Sequence, residues 1–291
     1  MAGIPRMVAI PNAGQLEIAD HAAFDEVFAG VESRALDAKV WSLENRWGIA
    51  LGALAATILI VLAVVQYGLP WAAREIATRL PPASEKSLGE RTLQTLDQTL
   101  LAPSMVDGGR ITRLRERFAA MTVNLNDGFQ YRLEIRAAPG VGPNAFALPG
   151  GIIVFTDELI LLAKSDAELA AVLAHEIGHV RGRHTMRHTI QNSVTTLLIA
   201  ALTGDLLNAS SWAATLPAFT LQAKYSRDFE READRFAIDM LRSQGIAPSN
   251  LGTILRSMEA WAKSKGGGAR IPDWLSTHPS TEEREAASQE Q

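Results

Sequence analysis

An uncharged apolar run constrains this chain more than any other feature of its sequence. Residues 48–69 read GIALGALAATILIVLAVVQYGL, and as a helix they would extend about 33 Å, which is enough to cross the hydrocarbon core of a bilayer. Aromatic residues lie at both ends of the run and arginines lie just beyond, as is typical of membrane interfaces. We therefore predict one transmembrane anchor, residues 46–72, that contacts lipid through residues 48–69.

The charges beside this run do not set its orientation in the membrane. Three basic residues precede it within a short distance and three follow it, so the positive-inside rule favours neither side. A cleaved signal peptide is disfavoured, because 47 residues precede the run and the run is longer than the apolar core of a normal signal peptide. A buried core helix is the alternative at this length.

Composition excludes several classes of protein and site. The chain has 291 residues, a net charge of −4 and no basic stripe, so we predict that it does not bind nucleic acid. It contains no cysteine, so a bound metal must be held by His, Asp or Glu. Nothing in the sequence indicates an oligomeric state.

The remaining sequence predicts an α+β, mostly helical fold with a small β-sheet, preceded by the one transmembrane helix. We divide the chain into an N-terminal extension (1–45), the anchor (46–72), a Pro-rich linker (73–84) and a main domain (85–291). In the extension, residues 6–20 alternate like a two-stranded fragment, and residues 21–46 have a helical pattern.

Within the main domain, hydrophobic spacing predicts helices near residues 86–100, 110–121, 226–244 and 250–265, and strands near 129–138 and 144–158. Ser165 and Glu168 form a capping box for a helix that should run through residues 169–188. The apolar stretch 194–219 is broken by Gly, Asp and Pro, which favours two buried or membrane-leaning helices over a second span.

The motif HEIGH, residues 175–179, is the first indication of chemistry. On a helix His175 and His179 lie four residues apart and point the same way, so both imidazoles can bind one zinc ion. Glu176 lies beside them, where it can take a proton from a water molecule. Two histidines on a solvated helix face are the alternative for this motif taken alone.

A hydrolytic zinc needs a third protein ligand and an open position. His184 and His188 are near in sequence, but a continuing helix would turn them about 180° and 220° away from His175. We therefore predict that they face away from the metal, in solvent-facing or second-layer roles.

The segment SRDFEREADRF offers Glu230 and Asp234, four residues apart on a predicted helix. We predict Glu230 as the third ligand and Asp234 as the acceptor for the other ring N–H of a zinc histidine. Glu232 is the local competitor, but it lies about 200° around the helix from Glu230, so only one of the two can face the metal. A surface helix of alternating charge is the alternative for this segment by itself.

Two further elements suit a site that cleaves peptides. PNAFALPGG, before the zinc helix, would serve as an exposed edge strand that pairs with an extended substrate, or it is an ordinary sheet strand. His278, in the loop STHPSTEER, would reach the zinc or the oxyanion of the reaction, although an isolated loop histidine often has no such role.

These segments together resemble the membrane-associated zinc metallopeptidases that include the CAAX prenyl protease, HtpX, the mitochondrial Oma protease and BepA. The resemblance covers about residues 85–288 and depends on NAFALPGG, HEIGH, SRDFEREAD and THPSTEER in that order. It implies a zincin-type domain of the gluzincin class that holds one Zn²⁺ per chain. The residues it implies are His175, His179 and Glu230 as zinc ligands, Glu176 as base, Asp234 as orienting group, Asn144 and Ala145 as contacts to the substrate backbone, and His278 as a substrate or regulatory contact near the metal.

The chain departs from the multi-span members, because its sequence between the zinc motif and the third ligand is short and interrupted. It is therefore more similar to single-anchor or periplasmic members. That resemblance implies a single-pass protein of a bacterial inner membrane with its catalytic domain on the periplasmic side, a choice that the charges leave open.

We therefore interpret the chain as a zinc-dependent endopeptidase that hydrolyses internal peptide bonds of proteins, in membrane or envelope protein quality control. Its partners would be protein or peptide substrates and the lipid bilayer. The alternative is a membrane-anchored, zinc-containing, chaperone-like or latent protein without constitutive turnover. A purely structural zinc site with four protein ligands is a third hypothesis.

Overall fold

A computed structural model describes residues 6–10, 14–28, 47–203 and 227–264 of the chain. The chain divides into two compact units, Met1–Gln66 and Tyr67–Gln291. The division falls inside the predicted anchor.

The first unit contains the two-stranded fragment that the alternating sequence predicts. Strands β1 (Arg6–Ile10) and β2 (Gly14–Ile18) pair antiparallel, with Arg6 opposite Ile18. Helix α1 (His21–Phe28) follows, and Oδ1 of Asp20 accepts hydrogen bonds from two backbone N–H groups of its first turn. The prediction of a helix is confirmed for residues 21–28, and its remainder lies outside the described residues.

The apolar run is helical, as predicted. It forms α2 (Trp47–Ala63), a π-helical turn (Val64–Gly68) and α3 (Leu69–Arg79). Pro70 has no N–H to donate to the preceding turn, which accounts for the altered helix geometry at this point. Among the described residues, one helical stretch, Gly48–Arg79, is long and apolar enough to cross a membrane, and its most apolar window is fully exposed.

The predicted linker is shorter in the structure than in the sequence prediction. Residues 73–79 continue α3 because Ala73 and Ala77 are completely buried against a helix of the main domain. Only residues 80–81 separate α3 from the next helix, which Pro82 begins.

The main domain packs its helices around one four-stranded sheet. Its elements are α4 (Pro82–Thr99), β3 (Ala102–Pro103), α5 (Gly108–Thr122), β4 (Arg132–Ala137), β5 (Ala145–Leu148), β6 (Ile152–Thr156), α6 (Asp157–Leu162), α7 (Asp166–Arg181), α8 (His184–Thr203), α9 (Arg227–Ser243) and α10 (Ser249–Ser264). The predicted α+β, mostly helical class is confirmed. The predicted helices after residue 203 and before residue 227 lie outside the described residues.

The sheet has the order β3-β4-β6-β5, so β5 is an edge strand within the described chain. β6 is parallel to β4 and antiparallel to β5, and all five of its residues are buried. A tight turn joins β5 to β6 through Gly150, whose φ of 80° suits glycine. A side chain there would also meet the backbone of Lys86 at 2.6 Å, so this turn fixes the position of the edge strand against α4.

Helix α7 starts at the predicted N-cap and runs through the core. Oγ of Ser165 accepts a hydrogen bond from the backbone N of Glu168 at 3.2 Å. The Glu168 carboxylate accepts in return from the N–H of Lys164, one residue earlier than a capping box requires. Every residue from Glu168 to Val180 is buried, as expected for a helix that is apolar around most of its circumference.

The prediction that this helix continues to His188 is wrong. α7 ends at Arg181, Arg183 adopts a left-handed φ of 50°, and a separate helix, α8, begins at His184. The side chain of Arg183 stabilises the break, because its guanidinium donates to the carbonyls of Ala77 and Leu80 at the end of α3.

Candidate metal centre

Two helices cross at a point where neither has a bulky side chain. A Cβ added to Gly178 of α7 would lie 2.9 Å from the Cα and the carbonyl oxygen of Ala233 on α9. The two backbones are therefore in direct contact. This close approach brings the side chains one turn before and after the crossing within reach of each other.

The crossing brings His175, His179 and Glu230 together in the protein interior. Their potential ligand atoms all lie within 4.8 Å of one another, and all three residues are buried. The two Nε2 atoms are 2.9 Å apart, and oxygens of Glu230 lie 3.5 Å from Nε2 of His175 and 3.4 Å from Nε2 of His179. Atoms that share one tetrahedral zinc lie about 3.3–3.6 Å apart. Both distances to Glu230 fall in this range, and the two Nε2 atoms are somewhat closer, so small side-chain adjustments suffice for the set to hold that metal.

The other ring nitrogen of His175 faces a second carboxylate of α9. Nδ1 of His175 lies 2.8 Å from Oδ1 of Asp234. Burial lowers the pKa of His175, but Asp234 and Glu230 outweigh this effect and raise the pKa from 6.5 to about 9. A carboxylate in this position fixes the tautomer in which Nε2 carries the lone pair that a metal needs.

Comparison with known proteins agrees with this arrangement. The model of peptidase family M48 matches residues 110–291. The chain belongs to that family. M48 membership implies a metallopeptidase fold and a bound metal, typically zinc, and the helical domain with its small sheet is the expected zincin type.

Individual M48 relatives match different shares of the chain. Mitochondrial metalloendopeptidase OMA1 of Arabidopsis thaliana is 37% identical over 145 residues, which are 48% of this chain and 28% of that protein. The beta-barrel assembly-enhancing protease of Escherichia coli is 32% identical over 151 residues, 48% of this chain and 30% of that protein. Metalloprotease LoiP of Escherichia coli is 30% identical over 213 residues, which are 72% of this chain and 80% of that protein. The chain thus spans less than a third of the first two relatives.

Glu176 lines an open pocket beside the three metal-binding candidates of this M48 chain. The pocket is bounded by His175 and Glu176 from α7 and by Asn144 and Ala145 at the start of the edge strand. Three apolar side chains of α10 complete it: Leu251, Leu255 and Met258. Sequence reasoning missed this wall, because its spacing on the helix is that of an ordinary core face.

Asn144 directly precedes the edge strand β5, and Ala145 is the first residue of that strand. The N–H of Asn144 donates to Oγ1 of Thr156, and its carbonyl accepts from the N–H of Thr156, so the Asn144 backbone is bonded into the sheet. Main-chain groups alternate in direction along a strand, so those of Ala145 point away from β6. The predicted exposure of this edge is not observed, because all four residues of β5 are buried and the carbonyl of Ala147 accepts a hydrogen bond from Oγ1 of Thr185 on α8. The buried Oδ1 of Asn144 has no hydrogen-bond partner among the described residues.

The prediction that His184 faces away from the metal is wrong. Because α7 ends at Arg181, the ring of His184 returns toward the site, is fully buried, and has its Nδ1 2.8 Å from Nδ1 of His179. It stacks on the ring of Phe229 with the centroids 4.5 Å apart. Burial lowers the pKa of His184, which favours a neutral ring.

Glu232 is correctly predicted to lie away from the three candidate ligands, yet it has a partner that the sequence did not reveal. One of its carboxylate oxygens lies 3.3 Å from Nε2 of His184 and accepts a hydrogen bond from Arg187 at 3.0 Å. His188, the next histidine, is half-buried and contacts Asn192 instead. His278 lies outside the described residues.

Proposed function

We propose that the chain is a zinc-dependent endopeptidase that hydrolyses internal peptide bonds of other proteins. The observation that carries this proposal is the buried group of His175, His179 and Glu230, with zinc-like spacing, at the wall of an open pocket that also contains Glu176. A structural zinc site with four protein ligands would have no need of a pocket beside it.

In this proposal His175, His179 and Glu230 hold one zinc ion per chain, and Asp234 orients His175. When bound, zinc supplies Lewis acidity, which lowers the pKa of water to about 7 and polarises a carbonyl group. The chain's own part is to present two neutral Nε2 atoms and one carboxylate from two rigid helices.

Glu176 is the proposed general base and acid. It follows His175 directly on α7, and its side chain is buried at the pocket wall. There it takes the proton of the attacking water and later gives that proton to the leaving amine. A carboxylate shielded from bulk solvent is suited to both transfers, because its proton is exchanged within the site.

Substrate would lie along the edge strand. The outward main-chain groups of Ala145 pair with an extended peptide, and the side-chain amide of Asn144 offers a further hydrogen bond from the pocket wall. The apolar side chains of α10 favour an apolar substrate residue beside the cleaved bond. His278 is proposed as a contact to the substrate or to the zinc.

The location is also a proposal. We infer a single-pass protein of a bacterial inner membrane, anchored through residues 48–69, with the peptidase domain on the periplasmic side. The apolar helix and the bacterial relatives named as a beta-barrel assembly-enhancing protease and a metalloprotease support this location and a part in envelope protein quality control.

Glu176→Gln tests the function. The variant should keep its zinc and lose at least about 100-fold in the rate of casein cleavage, because general acid–base catalysis is removed while the ligands remain. Glu116→Gln makes the same chemical change on the exposed face of α5 and should leave the rate unchanged. Zinc content by metal analysis and cleavage with and without a chelator are the two measurements.

Cleavage by Glu176→Gln at the wild-type rate would contradict the mechanism. Stoichiometric zinc in a wild-type protein that cleaves nothing would favour the latent or chaperone-like alternative.

A further inference from the structure

The break between α7 and α8 brings a third histidine against the metal centre. His184 contacts His179 through the two Nδ1 atoms, 2.8 Å apart. At that distance one nitrogen must donate a hydrogen and the other must accept it. If another partner fixes the tautomer of one ring, that ring determines which Nδ1 donates the hydrogen bond and which accepts it.

The proposed zinc site fixes the tautomer of His179. If Nε2 of His179 binds a metal, its Nδ1 carries the hydrogen, so it donates and Nδ1 of His184 accepts. A neutral His184 must then carry its own hydrogen on Nε2, which lies 3.3 Å from Oε2 of Glu232. Each nitrogen in this series has the hydrogen or lone pair that its neighbour requires.

We propose that His184 is a positioning residue that holds His179 in its metal-binding tautomer and orientation and connects it to the carboxylate of Glu232. This inference rests on the proposed zinc site. It gives the two zinc histidines different supports: His175 faces the carboxylate of Asp234 directly, whereas His179 faces a carboxylate through an intervening imidazole.

The surroundings of His184 are built for this position. The ring of Phe229 covers one face of the imidazole at an interplanar angle of 6°. Arg187 donates to the same oxygen of Glu232 and lies over Phe229, which fixes the far end of the series. Gly182 leaves space for the ring, since a Cβ there would lie 2.1 Å from Nε2 of His184.

Two substitutions separate the two ends of the His184 ring. The side-chain oxygen of His184→Asn occupies the place of Nδ1 and can still accept from His179. In His184→Gln the amide reaches the place of Nε2 and can still donate to Glu232, but the acceptor for His179 is lost. His188→Gln, on the same helix and away from the metal candidates, is the matched control.

The experiment measures zinc affinity of the full chain in detergent at fixed pH, by competition with a chromophoric chelator. We expect His184→Gln to bind zinc about 10–100-fold more weakly than the wild type, which is the usual effect of removing a group that orients a ligand. His184→Asn should lose much less, about threefold or under, and His188→Gln should equal the wild type. Thermal unfolding of the zinc-free proteins is measured in parallel, because a merely structural loss would lower the Tm of both variants alike.

Equal zinc affinity of His184→Gln and the wild type would overturn the proposal. So would equal weakening in the Asn and Gln variants, since the preserved acceptor would then have no effect. Neither result would touch the proposed function, which instead fails if the wild-type chain itself binds no zinc.

Discussion

The two helices that meet at the candidate metal centre bury their polar residues in different ways. α7 is buried on all sides from Glu168 to Val180, whereas α9 is amphipathic, with Glu230 and Asp234 buried and Arg231 exposed. Burying an unpaired polar group costs several kcal/mol, so a polar residue in the middle of α7 is by its type alone a sign of function. On α9 charged residues are common, so residue type alone is not informative. Only the face of the helix on which a charged residue lies distinguishes a candidate ligand from an exposed surface residue.

The largest effect should distinguish two carboxylates on α9. Glu230→Gln removes the proposed charged ligand and should abolish both zinc retention and cleavage, because two histidines alone make an incomplete site. Glu232→Gln keeps all three ligands, so it should retain zinc with an affinity lowered about tenfold. Metal analysis after dialysis measures both variants. Zinc loss in Glu232→Gln with retention in Glu230→Gln would reverse our assignment of the two faces.

The next effect concerns the contact between α7 and α9 at His175. A pKa raised to about 9 means that the zinc-free protein is protonated at His175 at neutral pH, and zinc must displace that proton. Zinc affinity should therefore rise with pH and level off near pH 9. The same shift stabilises the zinc-free fold, fully below pH 6.5 and progressively less as the pH rises through about 9.

Asp234→Asn should weaken zinc binding about 10–100-fold and make the affinity level off at a lower pH, because one of the groups that raise the pKa of His175 is neutralised. Asp228→Asn, on the exposed face of the same helix, is the control. Zinc titrations between pH 6 and 10 measure the dependence. An unchanged pH profile in Asp234→Asn would show that Asp234 does not set the pKa of His175.

A smaller effect is expected where the two backbones touch. Gly178→Ala places a methyl group 2.9 Å from the backbone of Ala233, and overpacking costs about 1–3 kcal/mol. The better helix propensity of alanine offsets about 1 kcal/mol, so a net loss of about 1 kcal/mol in the free energy of unfolding should remain. Gly108→Ala, at the open start of α5, makes the same change without a neighbour and should not destabilise. Urea unfolding measures both; equal stability would mean that the crossing can widen without cost.

Much of this fold follows from local sequence signals. The Ser165 N-cap, the end of α9 before Gly245, the alternating strand β4 and the apolar strand β6 were all predictable, because each depends on neighbours in the sequence. The convergence of His175, His179 and Glu230 was predictable because four-residue spacing on two helices leaves few other arrangements.

The position of His184 was not predictable for a physical reason. Gly182 suggests a helix end, yet its φ of −69° is helical, and the left-handed residue is Arg183. The conformation of Arg183 depends on carbonyls of Ala77 and Leu80, more than a hundred residues earlier, so no local signal marks the break. Gly182 instead leaves room for the imidazole of His184, which a side chain at this position would meet.

The smallest effect should come from the exposed face of α9. Arg231 lies between Glu230 and Glu232 in sequence, but it pairs with Asp228 at 2.6 Å, and the two side chains are 46% and 81% exposed. Such surface pairs contribute under about 0.5 kcal/mol, so Arg231→Gln should leave the urea midpoint, the zinc affinity and the cleavage rate close to those of the wild type. A loss above about 1 kcal/mol would mean that the outer face of α9 contributes to the fold, and the contrast between the two helices would then be weaker than their burial indicates.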